Sequence, residues 1–282
     1  MSATLARHKA RERRRAVTLW LLAVSVTVFF FFPVYWMFSS AFKTDEVSST
    51  FPPVFTFAPS MDNFVHLFLE AEAGKALWNS FFIVTIATLL AMIAGTMAAY
   101  ALARFDIKGK NAMAIEILSV RMLPPIVSVI PLFMIARWLG IFDTPWLLIA
   151  VYTLSGLPFV VWIMRVFIQD IPQSVEEAAM IDGCGRIEAF WRVTLPLLLP
   201  GLAATMVIVF MFAWNEFLLA SLLTSSDAKT LPVIAANAIK PKAIAFGLAC
   251  AAGVIMSMPV IVLVLMMQKY LVQGLTLGAV KG

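Results

Sequence analysis

The chain has 282 residues, of which 62% are hydrophobic and 13% charged, and its formal net charge is +5. Water-soluble domains run at about 45–50% apolar and about 25% charged, and at this length about a quarter of the unfolded surface still meets solvent after folding. A soluble enzyme is excluded on that ground, and lipid is the expected solvent for most of the surface.

The basic excess begins at the N-terminus, where Arg7, Lys9, Arg11, Arg13, Arg14 and Arg15 outnumber Glu12. A basic block directly before an apolar helix is a topology signal that contacts anionic lipid, which argues against nucleic-acid binding. The apolar run Ala16–Phe38 is longer than a signal-peptide core of about 7–15 residues and is expected to be retained as a first span. It lies within 27 uncharged residues between Arg15 and Lys43. Further charge-free stretches hold 28 residues (Lys75 to Arg104), 21 (Asp143 to Arg165), 23 (Arg192 to Glu216) and 26 (Lys242 to Lys269). About 20 apolar residues cross a hydrocarbon core of about 30 Å. Backbone groups in lipid must pair within their own segment, so these stretches are expected to be helices.

The expected spans are Ala16–Phe38, Trp78–Leu102, Met113–Trp138, Trp146–Phe167, Leu197–Thr224 and Phe246–Gln268. They divide the chain into a basic tail (1–15), a six-span domain (16–268) and a C-terminal tail (269–282). With the basic tail inside the cell, 14 of the 21 Lys and Arg lie on the inner side, six on the outer, and Arg121 remains. That split places both termini in the cytoplasm. The first outer loop, Ser39–Leu77, is acidic, and Pro52, Pro53 and Pro59 point to irregular backbone there. Within the spans, small residues recur at four-residue spacing (Ala91, Gly95 and Ala99; Gly201 and Thr205; Gly247 and Ala251; Gly253 and Ser257), as close helix–helix approach requires.

The third span carries Glu116 and Arg121, and Pro124-Pro125 follow at once. Consecutive prolines break or kink a helix, and a break at membrane depth is tolerated where it lines a cavity or is covered by protein. Arg121 and Pro124 are therefore candidates for a translocation path. Arg121 is alternatively a residue low in the span whose guanidinium snorkels to headgroups. Asn215 and Glu216, in the fifth span, are candidates for the same path or for its outer gate, because polar groups in spans face cavities or partners.

The stretch 168–196 is polar and separates the fourth and fifth apolar runs. Ser174-Val175-Glu176-Glu177 fits a capping box, so a helix is expected from Ser174. Gly183 and Gly185 can end it through a left-handed cap. A second short helix is expected over Arg186–Arg192, with Pro196 opening the next span. The result is a helix–turn–helix projecting from the membrane, and Ala178 and Ala179 give it a low-relief surface that another protein can approach. Cys184 and Cys250 are expected to stay unpaired. There is no phosphate-cradling G-x-x-x-x-G-K-[ST] sequence and no catalytic or metal-ligating constellation.

Glu177-Ala178-Ala179, Gly183 and Leu195-Pro196 resemble the EAA motif of ABC-importer permeases, with Val193 at the usual isoleucine position. Met122-Leu123-Pro124-Pro125, Ile130-Pro131-Leu132, Leu139-Gly140 before Asp143-Thr144, Trp214-Asn215-Glu216-Phe217 and the tail from Leu271 to Gly282 are similar to the MalG-type permeases of carbohydrate importers. The resemblance implies an all-α integral membrane fold with six transmembrane helices, the type I importer permease fold, carrying a cytoplasmic coupling helix. It implies that Glu176, Glu177, Ala178, Ala179, Asp182, Gly183, Leu195 and Pro196 couple to an ATPase, and that a tail including Gly274, Gly278, Lys281 and Gly282 contacts the ATPase subunits. It also implies a second, MalF-type permease, two ATP-binding subunits and an extracytoplasmic solute-binding protein as partners in a bacterial inner membrane. ATP and Mg would be used by the partners, with no cofactor on this chain and no catalysis by it. The cargo would be a sugar, polyol or glycoside. The alternative is a self-sufficient secondary carrier, which would need midplane carboxylates and commonly an internal repeat; neither is evident.

Overall fold

A computed structural model describes residues 2–237, 239–240, 243–244 and 246–277. The chain forms two compact units, Met1–Glu70 with Ala238–Ile255, and Ala71–Asn237 with Met256–Gly282. Among the described residues, five helical stretches are long and apolar enough to cross a membrane: Arg13–Ala41, Ala73–Arg104, Pro145–Asp170, Arg186–Trp214 and Phe246–Lys269. A sixth is broken, Lys110–Met122 and Pro125–Trp138 meeting at a bend of 88°. This is a multi-pass membrane protein.

In the first unit, helix α1 (Ser2–Ala41) leaves its apolar window wholly unburied, and its C-terminal end, at Ser40 and Ala41, is covered. The expected irregular loop contains two short helices, α2 (Asp45–Ser48) and α3 (Asp62–Leu69). The buried Asn63 side chain donates to the Ala41 and Lys43 carbonyls at 2.9 and 2.7 Å. This satisfies backbone acceptors that a helix end otherwise leaves unpaired. Lys43 is buried with its ammonium 3.8 Å from the Trp36 ring centre, a cation–π contact. Burial lowers its pKa, and Cys250 partly offsets that effect. A β-carbon on Gly247 would stand 2.7 Å from Asn63 Nδ2, and one on Gly253 2.9 Å from Met37 Sδ. The small-residue face of the last helix is thus used for close approach.

The second unit is organised on α4 (Ala73–Arg104), α7 (Pro145–Asp170) and α10 (Leu195–Trp214). Ala91, Met92 and Ala99 of α4 meet Val160, Met164 and Ile168 of α7, with Leu198 and Val209 of α10 against them. A β-carbon on Gly95 would lie 2.6 Å from Val160 Cβ, so the small face expected on α4 is where α7 approaches. In lipid there is no hydrophobic drive between helices, and close packing supplies the cohesion instead. Around this trio stand α5 (Lys110–Ser119), a 3₁₀ turn (Val120–Met122), α6 (Pro125–Trp138), α8 (Gln173–Ile181), α9 (Arg186–Ala189), α11 (Leu218–Leu223) and α12 (Leu231–Asn237). A two-residue ladder, β1 (Ile239–Lys240) with β2 (Ala243–Ile244), precedes α13 (Phe246–Leu277).

Three expectations are corrected. The fifth span does not run to Thr224: α10 stops at Trp214 and a separate α11 begins at Leu218. The second arm of the polar hairpin is not a separate helix ending at Arg192. It runs from Arg186 through a π-helical turn, Phe190–Thr194, straight into α10; Pro196 follows that turn directly, so its missing N–H falls where the hydrogen-bond ladder is already irregular. The capping box does not form: α8 starts one residue early, at Gln173, with Pro172 in the cap position and no side-chain cap.

Candidate functional site

The break between α5 and α6 is built by sequence. Leu123 is extended, Pro124 occupies the N-cap of α6 and Pro125 its first turn. Neither proline can donate to the preceding helix, so α5 cannot continue, while proline suits the start of a new one. Arg121 stands at this break. Its guanidinium lies 4.4 Å from the Phe159 ring centre and 5.6 Å from that of Phe212, and its Nη1 donates to the Ser155 carbonyl at 3.1 Å. The two rings stack on each other at 5.0 Å with planes 7° apart. A cavity of about 450 Å³ opens here, and its polar lining includes Arg121, Ser128, Tyr152, Ser155 and Glu216.

Glu216 is fully engaged. Its carboxylate accepts the backbone N–H groups of Leu219 (2.8 Å) and Ala220 (3.0 Å) and the Tyr152 hydroxyl (3.0 Å). It therefore caps the start of α11, where a negative group is favoured, and ties α11 to α7. Of the four residues expected on a path, Arg121 and Glu216 line the cavity. Pro124 does not, its neighbour Pro125 taking that place. Asn215 does not either, since its side chain donates back to the Met211 carbonyl at 2.8 Å. Tyr152, Ser155, Phe159 and Phe212 escape sequence reasoning, because nothing in an apolar run marks which face looks into a cavity.

At the other end of α7 lies the hairpin. Gly183 has φ +95°, the Cys184 N–H donates to the Ala179 carbonyl at 3.0 Å and the Gly183 N–H to the Met180 carbonyl at 3.1 Å. This is a Schellman closure of α8. Gly183 alone supplies the left-handed residue; Gly185, with φ −70°, caps the second arm. Glu177, Ala178, Asp182 and Gly183 are exposed and Ala179 is half-buried. Ile181 and Ile187 flank the turn at 85% and 77% exposure. Leu195 and Pro196 belong to the first turn of α10. Glu176 does not share the exposure of its neighbour. It is buried, with Oε1 2.8 Å from Arg104 Nε and Oε2 accepting the Tyr100 hydroxyl at 2.9 Å.

On the α11 side of the unit, Asp143 (φ +58°) accepts the backbone N–H groups of Ser225, Ser226, Asp227 and Ala228 and both serine hydroxyls, at 2.6–3.2 Å. Partial burial raises its pKa, and these hydrogen bonds outweigh that, holding the carboxyl well below the usual carboxylate range. Lys75 pairs with Asp227 at 3.0 Å, and the Asn79 side chain donates to the Asp227 and Lys229 carbonyls, so the same segment is also tied to α4. Of the expected C-terminal contacts, Gly274 lies within α13. Gly278, Lys281 and Gly282 lie outside the described residues.

Residues 91–277 match the family described as the binding-protein-dependent transport system inner membrane component. The trehalose transport system permease protein SugB of Mycobacterium tuberculosis is 38% identical over 95% of this chain and 99% of its own. The trehalose/maltose transport system permease protein MalG of Thermococcus litoralis is 34% identical over 96% and 99%. A chain of a bacterial ABC transporter involved in import of the acidic polysaccharide alginate superposes with a TM-score of 0.73 at 20% identity, over 92% of this chain and 97% of that one.

Proposed function

Because the chain belongs to the family of binding-protein-dependent transport system inner membrane components, we propose that it forms one half of the translocation path of an ATP-driven importer for a sugar, polyol or glycoside. The second half would be a MalF-type permease, two ATP-binding subunits would drive the cycle with ATP and Mg, and an extracytoplasmic binding protein would deliver solute. This chain itself would catalyse nothing and hold no cofactor. Both termini and the α8–α9 hairpin would face the cytoplasm, and the tail carrying Gly274, Gly278, Lys281 and Gly282 would touch the ATPase subunits. The names of the relatives, trehalose and trehalose/maltose permeases, support the carbohydrate class.

One observation carries the coupling reading: two isoleucines stand almost fully exposed on either side of a glycine-closed polar hairpin. Apolar side chains that enter pockets on a partner are desolvated there, and such anchors carry much of the binding energy of an interface. Glu177, Ala178, Ala179, Asp182 and Gly183 belong to the same docking face, and Leu195 and Pro196 carry its second arm into α10. The cavity beside Arg121 and Glu216 is this chain's share of the path, with Pro124 shaping the break that opens it and Asn215 closing the end of α10. The test is Ile181→Glu with Ile187→Glu in the assembled transporter. The ATPase subunits are expected to dissociate during purification and ATP-driven uptake into proteoliposomes to fall at least tenfold. Full uptake by the double variant, or uptake by this chain without any ATPase subunit, refutes the reading.

A further inference from the structure

The hairpin is held by α4, a helix not adjacent to it in the chain. Tyr100 and Arg104 sit one turn apart on α4, so their side chains leave the same face. Arg104 Nε pairs with Glu176 Oε1 on α8, and its Nη2 donates to the Ile171 carbonyl at 2.8 Å, where α7 ends. Both side chains of this ion pair are almost wholly buried, at 6% and 8% exposure. The Tyr100 hydroxyl takes the other oxygen of Glu176, and its ring packs on Phe190 of the second arm with ring centres 4.7 Å apart. Phe105, at the end of α4, lies under the Arg186 guanidinium at 5.3 Å. One turn of α4 thus grips both arms of the hairpin. The same helix runs on to the Gly95–Val160 contact and so bears directly on α7, whose Ser155 and Phe159 hold Arg121 at the cavity.

We infer that Arg104 and Tyr100 are positioning residues that lock the hairpin to α4 through Glu176, so that a displacement of the hairpin moves α4, and with it α7 and the cavity wall. The chain itself joins the hairpin to α7, through Ile171 and Pro172, and to α10, through the π-helical turn, but not to α4, so any movement of α4 with the hairpin has to pass through these side chains. A buried ion pair with both carboxylate oxygens engaged is directional, and leaves no slack in the joint. This rests on the hairpin being the ATPase contact.

The experiment uses the complete reconstituted transporter carrying Tyr100→Phe, which removes one hydroxyl, and separately Glu176→Gln. Three quantities are read: retention of the ATPase subunits on purification, ATP hydrolysis, and solute imported per ATP hydrolysed. In both variants the ATPase subunits are expected to stay bound and to hydrolyse ATP, while solute imported per ATP falls, by about tenfold for Tyr100→Phe, the value of one hydrogen bond to a charged group. The double exchange Arg104→Glu with Glu176→Arg is expected to recover part of that ratio relative to Arg104→Glu alone. If uptake and hydrolysis fall in proportion, so that the ratio is unchanged, the residues merely stabilise the fold and the inference is overturned. If Glu176→Gln releases the ATPase subunits, the Tyr100→Phe ratio decides by itself. If cross-linking of the wild-type transporter finds no ATPase contact at the hairpin, it is the docking reading that fails, a result distinct from an unchanged ratio.

Discussion

Gly156 sits on α7 where α4 and α10 converge, and replacing it with alanine tests whether helix packing here is as tight as the geometry indicates. A β-carbon at this position would lie 2.9 Å from Val209 Cγ1 and 3.4 Å from Ala91 Cβ. Carbon atoms at optimal contact are about 3.5–4.0 Å apart, so the Val209 side chain or the α10 backbone must move by about half an ångström. Val209 is 2% exposed and borders the cavity beside Arg121, so part of this displacement, but not all of it, can be taken up there. Overpacking of this kind costs about 1–3 kcal/mol, against which alanine returns up to about 1 kcal/mol over glycine in a helix interior. The expected net loss for Gly156→Ala is about 1–2 kcal/mol. Val209→Ala removes the clashing atom. Alone it costs about 1 kcal/mol, because its methyls lose packing partners but leave no water-exposed surface in lipid. The double variant should be more stable than the sum of the single losses by about 1 kcal/mol, since the new methyl refills the space the valine vacates. The assay is thermal unfolding of the detergent-purified transporter, followed by loss of the monodisperse gel-filtration peak. A loss of 1 kcal/mol corresponds to about 2–4 °C for a domain of this size. Gly156→Ala melting with the wild type, or a double variant no better than the sum of the singles, refutes the reasoning.

Gly183→Ala forces an L-residue to φ +95° with nothing within 4 Å of the new methyl, so its cost is purely conformational, about 1–2 kcal/mol. Hydrogen exchange of the Gly183 and Cys184 amides should accelerate about tenfold, while Gly185→Ala, at an ordinary φ of −70°, should change nothing; equal effects at the two glycines would contradict the assignment. For Asp143, a folded pKa below the ordinary 3.8 means that its contribution to stability is fully present above about pH 4 and is lost only as pH falls further toward the depressed value. Protection of the Ser225–Ala228 amides, corrected for intrinsic exchange, should therefore be retained from pH 7 down to about pH 3, and Asp143→Ala should abolish it at both. Protection lost in the wild type by about pH 3, where a carboxyl at the ordinary value is mostly protonated, would show that the carboxyl is not held low.

The number of apolar spans could be read from the chain because the cost of burying charge in lipid depends on composition along a single segment. No folded partner is needed to decide it, and the five clean stretches recur as five long helices. The break at Pro124-Pro125 and the turn at Gly183 were legible for a related reason, since each follows from one residue's missing donor or missing β-carbon. Glu176 and Glu177 mark the limit of such reading. They are chemically identical neighbours, and only the positions of Tyr100 and Arg104, brought in by the packing of α4 on α7, decide that one carboxylate is buried and the other faces out. Likewise the end of α10 at Trp214 depends on Glu216 finding Tyr152 and the free amides of α11, and the place of Arg121 depends on two rings supplied by α7 and α10. Those contacts join residues far apart in the chain, so their energies exist only once the helices have met.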